Sequence, residues 1–275
     1  LEFFQVFSDD DKLSCLMGVF LFDDMIFGPV KSRRLGVSLG INLLPNHAKF
    51  CNFNCIYCEC GWTKNKQALR MELPKAEDLL IALAQKLKES AGTELEPDSI
   101  TFAGNGEPTM HPEFDLIIRE TIKLRDKHAP KALVSVLSNG SMLHKPLIIE
   151  SLKLADNNIL KLDGGTENTI RKINMPLKAF RLNEYVAQLR RFNGKIIIQT
   201  LFVRGKYGNE IIDNTTQNEI DAWIKLLITI QPQKVMIYAI ERDTPVENLE
   251  KISLLELERI AEKVTAYGIK SEVFA

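Results

Sequence analysis

Three cysteines, Cys51, Cys55 and Cys58, stand at C-x3-C-x2-C in the stretch Cys51-Asn52-Phe53-Asn54-Cys55-Ile56-Tyr57-Cys58. A short irregular loop can aim three thiolates at a common centre, and clustered thiolates bind zinc or iron–sulfur centres. Four sulfurs would close such a centre. Three leave one coordination position free, which is the condition for chemistry at the metal. Cys60 lies two residues further on and offers a fourth sulfur, but the spacing is tight and it is expected to be free. His47 is close enough in sequence to be considered as a ligand, whereas His111, His128 and His144 show no ligand spacing.

Other residues that can do chemistry fall into short groups rich in glycine, asparagine and charge. Gly104-Asn105-Gly106-Glu107-Pro108 is a turn in which glycines let backbone carbonyls come close to an ammonium and Glu107 can neutralise it. The alternative is a plain turn with a surface glutamate. Thr109 stands where a dinucleotide fingerprint would need a third glycine, so that reading is excluded. Ser138-Asn139-Gly140 is a similar turn. Lys161, next to Asp163, can bind a carboxylate or a substrate, or the two can simply form an ion pair at a rim. Gln199, polar in an apolar run, is either a cofactor contact or a satisfied core amide. Arg33, Arg34 and Arg242 can reach an anionic substrate group or sit on a solvated surface.

The elements that must position these groups alternate regularly. Apolar strand-like runs cover residues 37–44, 99–103, 132–137, 158–162, 195–203 and 234–240, and a further short one covers 269–274. Between them lie helical patterns over 76–91, 114–128, 146–154, 182–192, 217–230 and 253–267. Residues 27–36 and 204–216 read as loops. Strand–helix alternation gives a parallel sheet with right-handed crossovers, and ligands bind at the carboxyl ends of such strands. The cysteine loop, Gly104 to Glu107, Ser138 to Gly140, Lys161 to Gly164, Gln199 to Arg204 and Tyr238 to Arg242 lie at or just after strand ends, so these are expected on one rim.

Composition sets the outer bounds. An apolar content of 45% with 26% charged residues is that of an ordinary globular chain. With 35 basic and 36 acidic residues the net charge is -1, which gives no footprint for nucleic acid or an anionic membrane surface. Five cysteines, four of them within ten residues, make a poor disulfide framework and point to a reducing compartment. No apolar run approaches the ~18–20 residues of a membrane span, and no basic stretch followed by an apolar core marks a secretory signal. The expected location is the cytoplasm. Residues 1–16 read as an appendage, and residues 17–275 as a single domain.

The cysteine spacing with an aromatic residue before the third cysteine resembles the radical S-adenosylmethionine (SAM) enzymes. Gly104-Asn105-Gly106-Glu107 is similar to that family's GGE turn, with asparagine in the middle, and Ser138-Asn139-Gly140 to its TNG turn. The run Gly28-Pro29-Val30, Ser32-Arg33-Arg34-Leu35-Gly36 and Ser38-Leu39-Gly40-Ile41-Asn42 resembles a group of short iron–sulfur oxidoreductases related to the wyosine-synthesis enzymes. The resemblance covers residues 17–275. It implies an incomplete (β/α)6 TIM-like barrel with parallel strands, and a [4Fe–4S] cluster on Cys51, Cys55 and Cys58. It also implies SAM held by Tyr57, Gly104, Gly106, Glu107, Asn139, Lys161, Asp163 and Gln199, with Arg33, Arg34 and Arg242 toward a substrate. The implied reaction is reductive cleavage of SAM to a 5′-deoxyadenosyl radical. A one-electron donor such as flavodoxin or ferredoxin would serve it.

Two rival readings remain. An activase that installs a glycyl radical on a partner protein would be similarly short. A non-catalytic zinc protein would use Cys60 or His47 to complete a tetrahedral site. A wyosine-type tRNA enzyme would need a second cluster, which Cys15 and Cys60 cannot supply.

Overall fold

The computed structural model describes residues 20–63 and 72–275. The expected appendage, with Cys15, lies outside the described residues. The architecture is an open, curled α/β half-barrel around an eight-stranded sheet. Its strands are β1 (Ile26–Ser32), β2 (Gly36–Ile41), β3 (Ser99–Phe102), β4 (Leu133–Ser138), β5 (Asn157–Lys161), β6 (Ile197–Leu201), β9 (Lys234–Tyr238) and β11 (Ser271–Phe274), in that spatial order. All neighbours from β2 to β11 are parallel, whereas β1 and β2 pair antiparallel. This is the incomplete TIM-like barrel that the sequence implies, extended by one strand at each edge.

Among the described residues, seven α-helices complete the pattern: α1 (Ala76–Ser90), α2 (Phe114–His128), α3 (Pro146–Leu152), α4 (Glu167–Asn174), α5 (Leu182–Arg190), α6 (Gln217–Ile230) and α7 (Leu254–Thr265). Their apolar stripes face the sheet, as with Leu79, Leu83 and Leu87 of α1 and Ile220, Trp223, Ile224 and Leu227 of α6. The hydroxyls of Thr216 and Ser253 accept from the backbone N–H groups of Glu219 and Glu256, giving α6 and α7 side-chain N-caps.

Three regions depart from the expectation. Residues 27–36 are not a loop, because β1 forms an edge hairpin with β2. Gly28 and Pro29 sit where its register shifts, at a bulge on an edge strand, where a missing N–H costs no ladder bond. Residues 204–216 are not a loop either. They form β7 (Val203–Tyr207) and β8 (Glu210–Asp213), which join β10 (Leu249–Lys251) in a three-stranded antiparallel sheet. Helix α4 was not expected at all.

The inner face of the barrel has two kinds of lining. On β2, β3 and β4 the hydroxyls of Ser38, Thr101, Ser99 and Ser135 join in a chain with contacts of 2.8–3.0 Å, which Asn157 of β5 extends at 3.1 Å. On β5, β6 and β9 the lining is apolar: Ile159, Ile197 and Met236 pack with Leu35, which the β1–β2 turn delivers, and with Leu137 and Phe274.

Candidate active site

At the carboxyl ends of the strands lies a cavity of about 330 Å3. Cys51, Cys55 and Cys58 all line it, as do Tyr57, Gly104, Gly106, Glu107, Asn139, Lys161 and Gln199. Arg33, Arg34 and Arg242 border the same space. The structure therefore brings together every expected site residue but one. Asp163, fully buried, stands one layer behind.

The cysteine loop is fastened to the turn after β3 by main chain. Phe50 and Gly106 form a parallel bridge, Phe50 N donates to Asn105 O at 2.8 Å, and Glu107 N donates to Phe50 O at 3.1 Å. This contact explains Gly106, whose φ is +148° and whose Cβ, if present, would lie 2.0 Å from Phe50 O. The glycine thus serves the approach of the cysteine loop, not only that of a ligand. Asn105, where the family motif has glycine, is also accounted for. Its buried amide accepts from Phe22 N and donates to Phe22 O and Pro45 O, tying down the chain that enters β1.

Glu107 is buried and held by four donors. Oε1 accepts from Thr109 N, Thr109 Oγ1 and Ser138 Oγ, and Oε2 accepts from Asn139 N at 2.6 Å. Burial pushes its pKa up, against these hydrogen bonds. A carboxylate has about four lone-pair sites, two on each oxygen, so Oε2 retains an acceptor position. Asn139 connects this carboxylate to the sulfurs, since its Nδ2 donates to Cys51 Sγ at 3.5 Å and to Asn52 Oδ1 at 3.1 Å.

Tyr57 is anchored by its hydroxyl. It donates to Asp163 Oδ2 and accepts from Lys161 Nζ at 2.6 Å, while Lys161 and Asp163 pair at 3.3 Å. Asp163 also accepts from Asn174 Nδ2 at 2.7 Å and from Leu201 N at 2.9 Å. Burial works against the Lys161 ammonium, but the charges of Asp163, Tyr238 and Cys55 and the hydrogen bond to Asp163 together outweigh it and hold the pKa well above the ordinary lysine range. Asp163 thus fixes Tyr57 and Lys161 from behind the cavity and does not line it. Gln199 Oε1 accepts from Arg34 Nη1 at 3.1 Å.

Sequence reasoning missed two residues at the sulfurs. Lys49 is buried two residues before Cys51, with Nζ donating to Gly61 O at 2.9 Å. Burial lowers its pKa, but the charges of Cys58, Cys51 and Cys55 reverse the balance and raise it. A lysine between Ala48 and Phe50 beside a cysteine loop was a readable signal. Asn174, at the end of α4, donates to Cys55 Sγ at 3.4 Å, and nothing local in the sequence pointed to it. The thiols differ among themselves. Burial pushes Cys51 up to about 12. Cys58 is pulled down to about 5, first by a hydrogen bond from Cys60 and then, against burial, by Lys49. Cys60 is a free thiol on the cavity wall with Sγ 3.6 Å from Gly104 O.

The donor set suits an iron–sulfur cluster. Three thiols ring one cavity, N–H groups of Phe53, Asn139 and Asn174 point at two of the sulfurs at 3.4–3.5 Å, and a buried cation stands beside them. Such N–H···S contacts and local charge are what tune clusters. Among the described residues, no three His, Cys, Asp or Glu side chains close on one point as a single tetrahedral ion requires. His47 is exposed and its Nδ1 contacts Asn46 Oδ1 at 3.0 Å. Among the described residues, no helix is long and apolar enough to cross a membrane.

Comparison with known proteins agrees with this geometry. Residues 45–212 match the model of the radical SAM superfamily. A UPF0026 protein of Synechocystis sp. is 30% identical over 226 residues, 81% of this chain and 77% of that protein. A Brachyspira hyodysenteriae protein named GTPase Obg is 32% identical over 238 residues, 85% of this chain but only 32% of that protein's length. The fold is shared with a radical SAM methyltransferase from Sphaerobacter thermophilus, at a TM-score of 0.62 and 15% identity, over 86% of this chain and 65% of that one. Taken with the thiol-lined rim, these matches show that the chain belongs to the radical SAM superfamily of enzymes and groups with the UPF0026 proteins.

Proposed function

We propose that this protein binds a [4Fe–4S] cluster through Cys51, Cys55 and Cys58 and uses it to cleave SAM reductively, directing the resulting radical chemistry at a substrate in the barrel. The observation that carries this reading is a shared wall: the three thiols and the Glu107 turn line one cavity and are stitched together by the Phe50–Gly106 bridge. When bound, the cluster supplies the electron that breaks the C5′–S bond of SAM. The chain's own residues then have separable tasks. Glu107 offers an acceptor to the methionine ammonium, and Asn139 couples that carboxylate to the Cys51 sulfur. Tyr57, fixed by Lys161 and Asp163, gives an aromatic face at the cofactor rim. Lys49, beside all three sulfurs, offsets their negative charge. The apolar patch of Leu35, Ile159, Ile197 and Met236 keeps water from the floor of the barrel.

The test is anaerobic reconstitution. The purified chain should take up about four irons and form 5′-deoxyadenosine from SAM in the presence of dithionite. Cys55→Ala should remove both properties. Stoichiometric zinc without iron or sulfide would overturn the proposal and favour the zinc reading. A cytoplasmic setting and a small flavodoxin- or ferredoxin-type reductant belong to the same proposal.

A further inference from the structure

Three arginines border the cavity, and they are not equivalent. Arg33 pairs with Glu241 at 3.0 Å and Arg242 pairs with Glu59 at 2.6 Å, both at the exposed rim. Arg34 has no carboxylate among the described residues. Its Nη1 donates to the neutral oxygen of Gln199 at 3.1 Å, and its guanidinium lies 5.0 Å from the centroid of the Tyr238 ring. A guanidinium carries five N–H donors, so most of its capacity is unspent.

The turn that carries Arg34 is fixed on several sides. Ser32 Oγ accepts from Arg34 N at 3.3 Å and from Leu35 N at 3.2 Å, Leu35 is packed in the apolar floor, and Arg33 ties the turn to the loop after β9. Arg34 is therefore presented to the cavity by a clamped hairpin. Gln199 adds to the effect. Because a guanidinium can only donate, Gln199 must offer its oxygen to Arg34. Its Nε2 donor group then has no acceptor among the described residues. This wall, built from β6, β9 and the β1–β2 turn, is rich in donors and holds no unpaired anion. It lines the same cavity as Gly104, Glu107 and Asn139 but is carried by other strands, since those three follow β3 and β4.

We infer that Arg34, with Gln199, forms an anion subsite for the substrate, which carries a carboxylate or phosphate group. The inference rests on the function proposed above, and it separates a substrate wall from a SAM wall. The planar fork of arginine matches the paired oxygens of either anion.

Isothermal titration on the reconstituted, SAM-loaded protein tests it, with inorganic phosphate and acetate as probes. The wild-type chain should bind at least one of them saturably. Arg34→Gln should weaken that binding at least tenfold, and by a larger factor than it weakens SAM. Arg34→Lys, which keeps the charge but loses the fork, should fall between the two. Preference for phosphate or acetate identifies which anion the subsite takes. Absence of saturable binding in the wild type, or equal binding by Arg34→Gln, would overturn the inference. An equal or larger loss of SAM affinity would also overturn it, assigning Arg34 to SAM's own carboxylate. Failure of the chain to load a cluster or cleave SAM would instead strike the underlying function.

Discussion

The two walls of the cavity are built on opposite plans. On the side of β3 and β4, nearly every polar atom has a partner within the protein: Glu107 has four donors, the Cys51 sulfur has two N–H contacts, and Asn105 is fully bonded. On the side of β6 and β9, Arg34 and Gln199 bond chiefly to each other and keep donors in reserve. The contrast separates permanence from exchange. A wall that holds a resident cluster and seats SAM against it gains from being rigid, with little beyond one Glu107 acceptor left open. One that receives a varied or bulky substrate group must keep more hydrogen-bonding capacity free until the substrate arrives.

Substitutions can break this contrast in a graded way. Gly106→Ala should have the largest effect, because a Cβ there meets Phe50 O at 2.0 Å and φ is +148°. Overpacking together with the strained φ should cost roughly 3 kcal/mol, read as a lower urea midpoint together with poorer iron retention. Glu107→Gln should destabilise less, by about 1–3 kcal/mol, but should raise the SAM dissociation constant by about tenfold to a hundredfold, measured by equilibrium dialysis. Unchanged SAM affinity in that variant would mean that the closed wall does not hold the cofactor. Lys49→Met removes the buried cation beside the sulfurs. It should shift the cluster midpoint potential down by roughly 60 mV, a tenfold change in the reduction equilibrium, followed by potentiometry with electron paramagnetic resonance. Arg242→Ala should have the smallest effect, no more than about 1 kcal/mol in a thermal melt, since its pair with Glu59 is exposed.

What the sequence disclosed followed from the kind of signal involved. The cysteine loop and the Gly104–Glu107 turn were legible because their chemistry is written in adjacent residues. The parallel strands were legible because buried strands read as apolar runs. By contrast, β7 and β8 carry Arg204, Lys206, Glu210 and Asp213 and bury little, so their pairing left no hydrophobic pattern. Strand β1 was hidden by Gly28 and Pro29, turn residues that here occupy a bulge. Helix α4 spans only 8 residues and is largely polar. Asn174 reaches Cys55 across 119 positions of chain, and no local pattern encodes such a meeting. The separate fates of Arg33, Arg34 and Arg242 were equally invisible, because a charge run does not state which member will find a carboxylate.

The bridge between Phe50 and Gly106 has a bearing on how this protein would fail. It makes the sulfur loop and the glutamate turn a single mechanical piece, joined through backbone amides. With the cluster and SAM bound as proposed, damage that empties the loop of its inorganic guest would therefore loosen the nucleotide's seat at the same moment. Exposure to air should be felt as one collapse of both capacities, not as two successive losses.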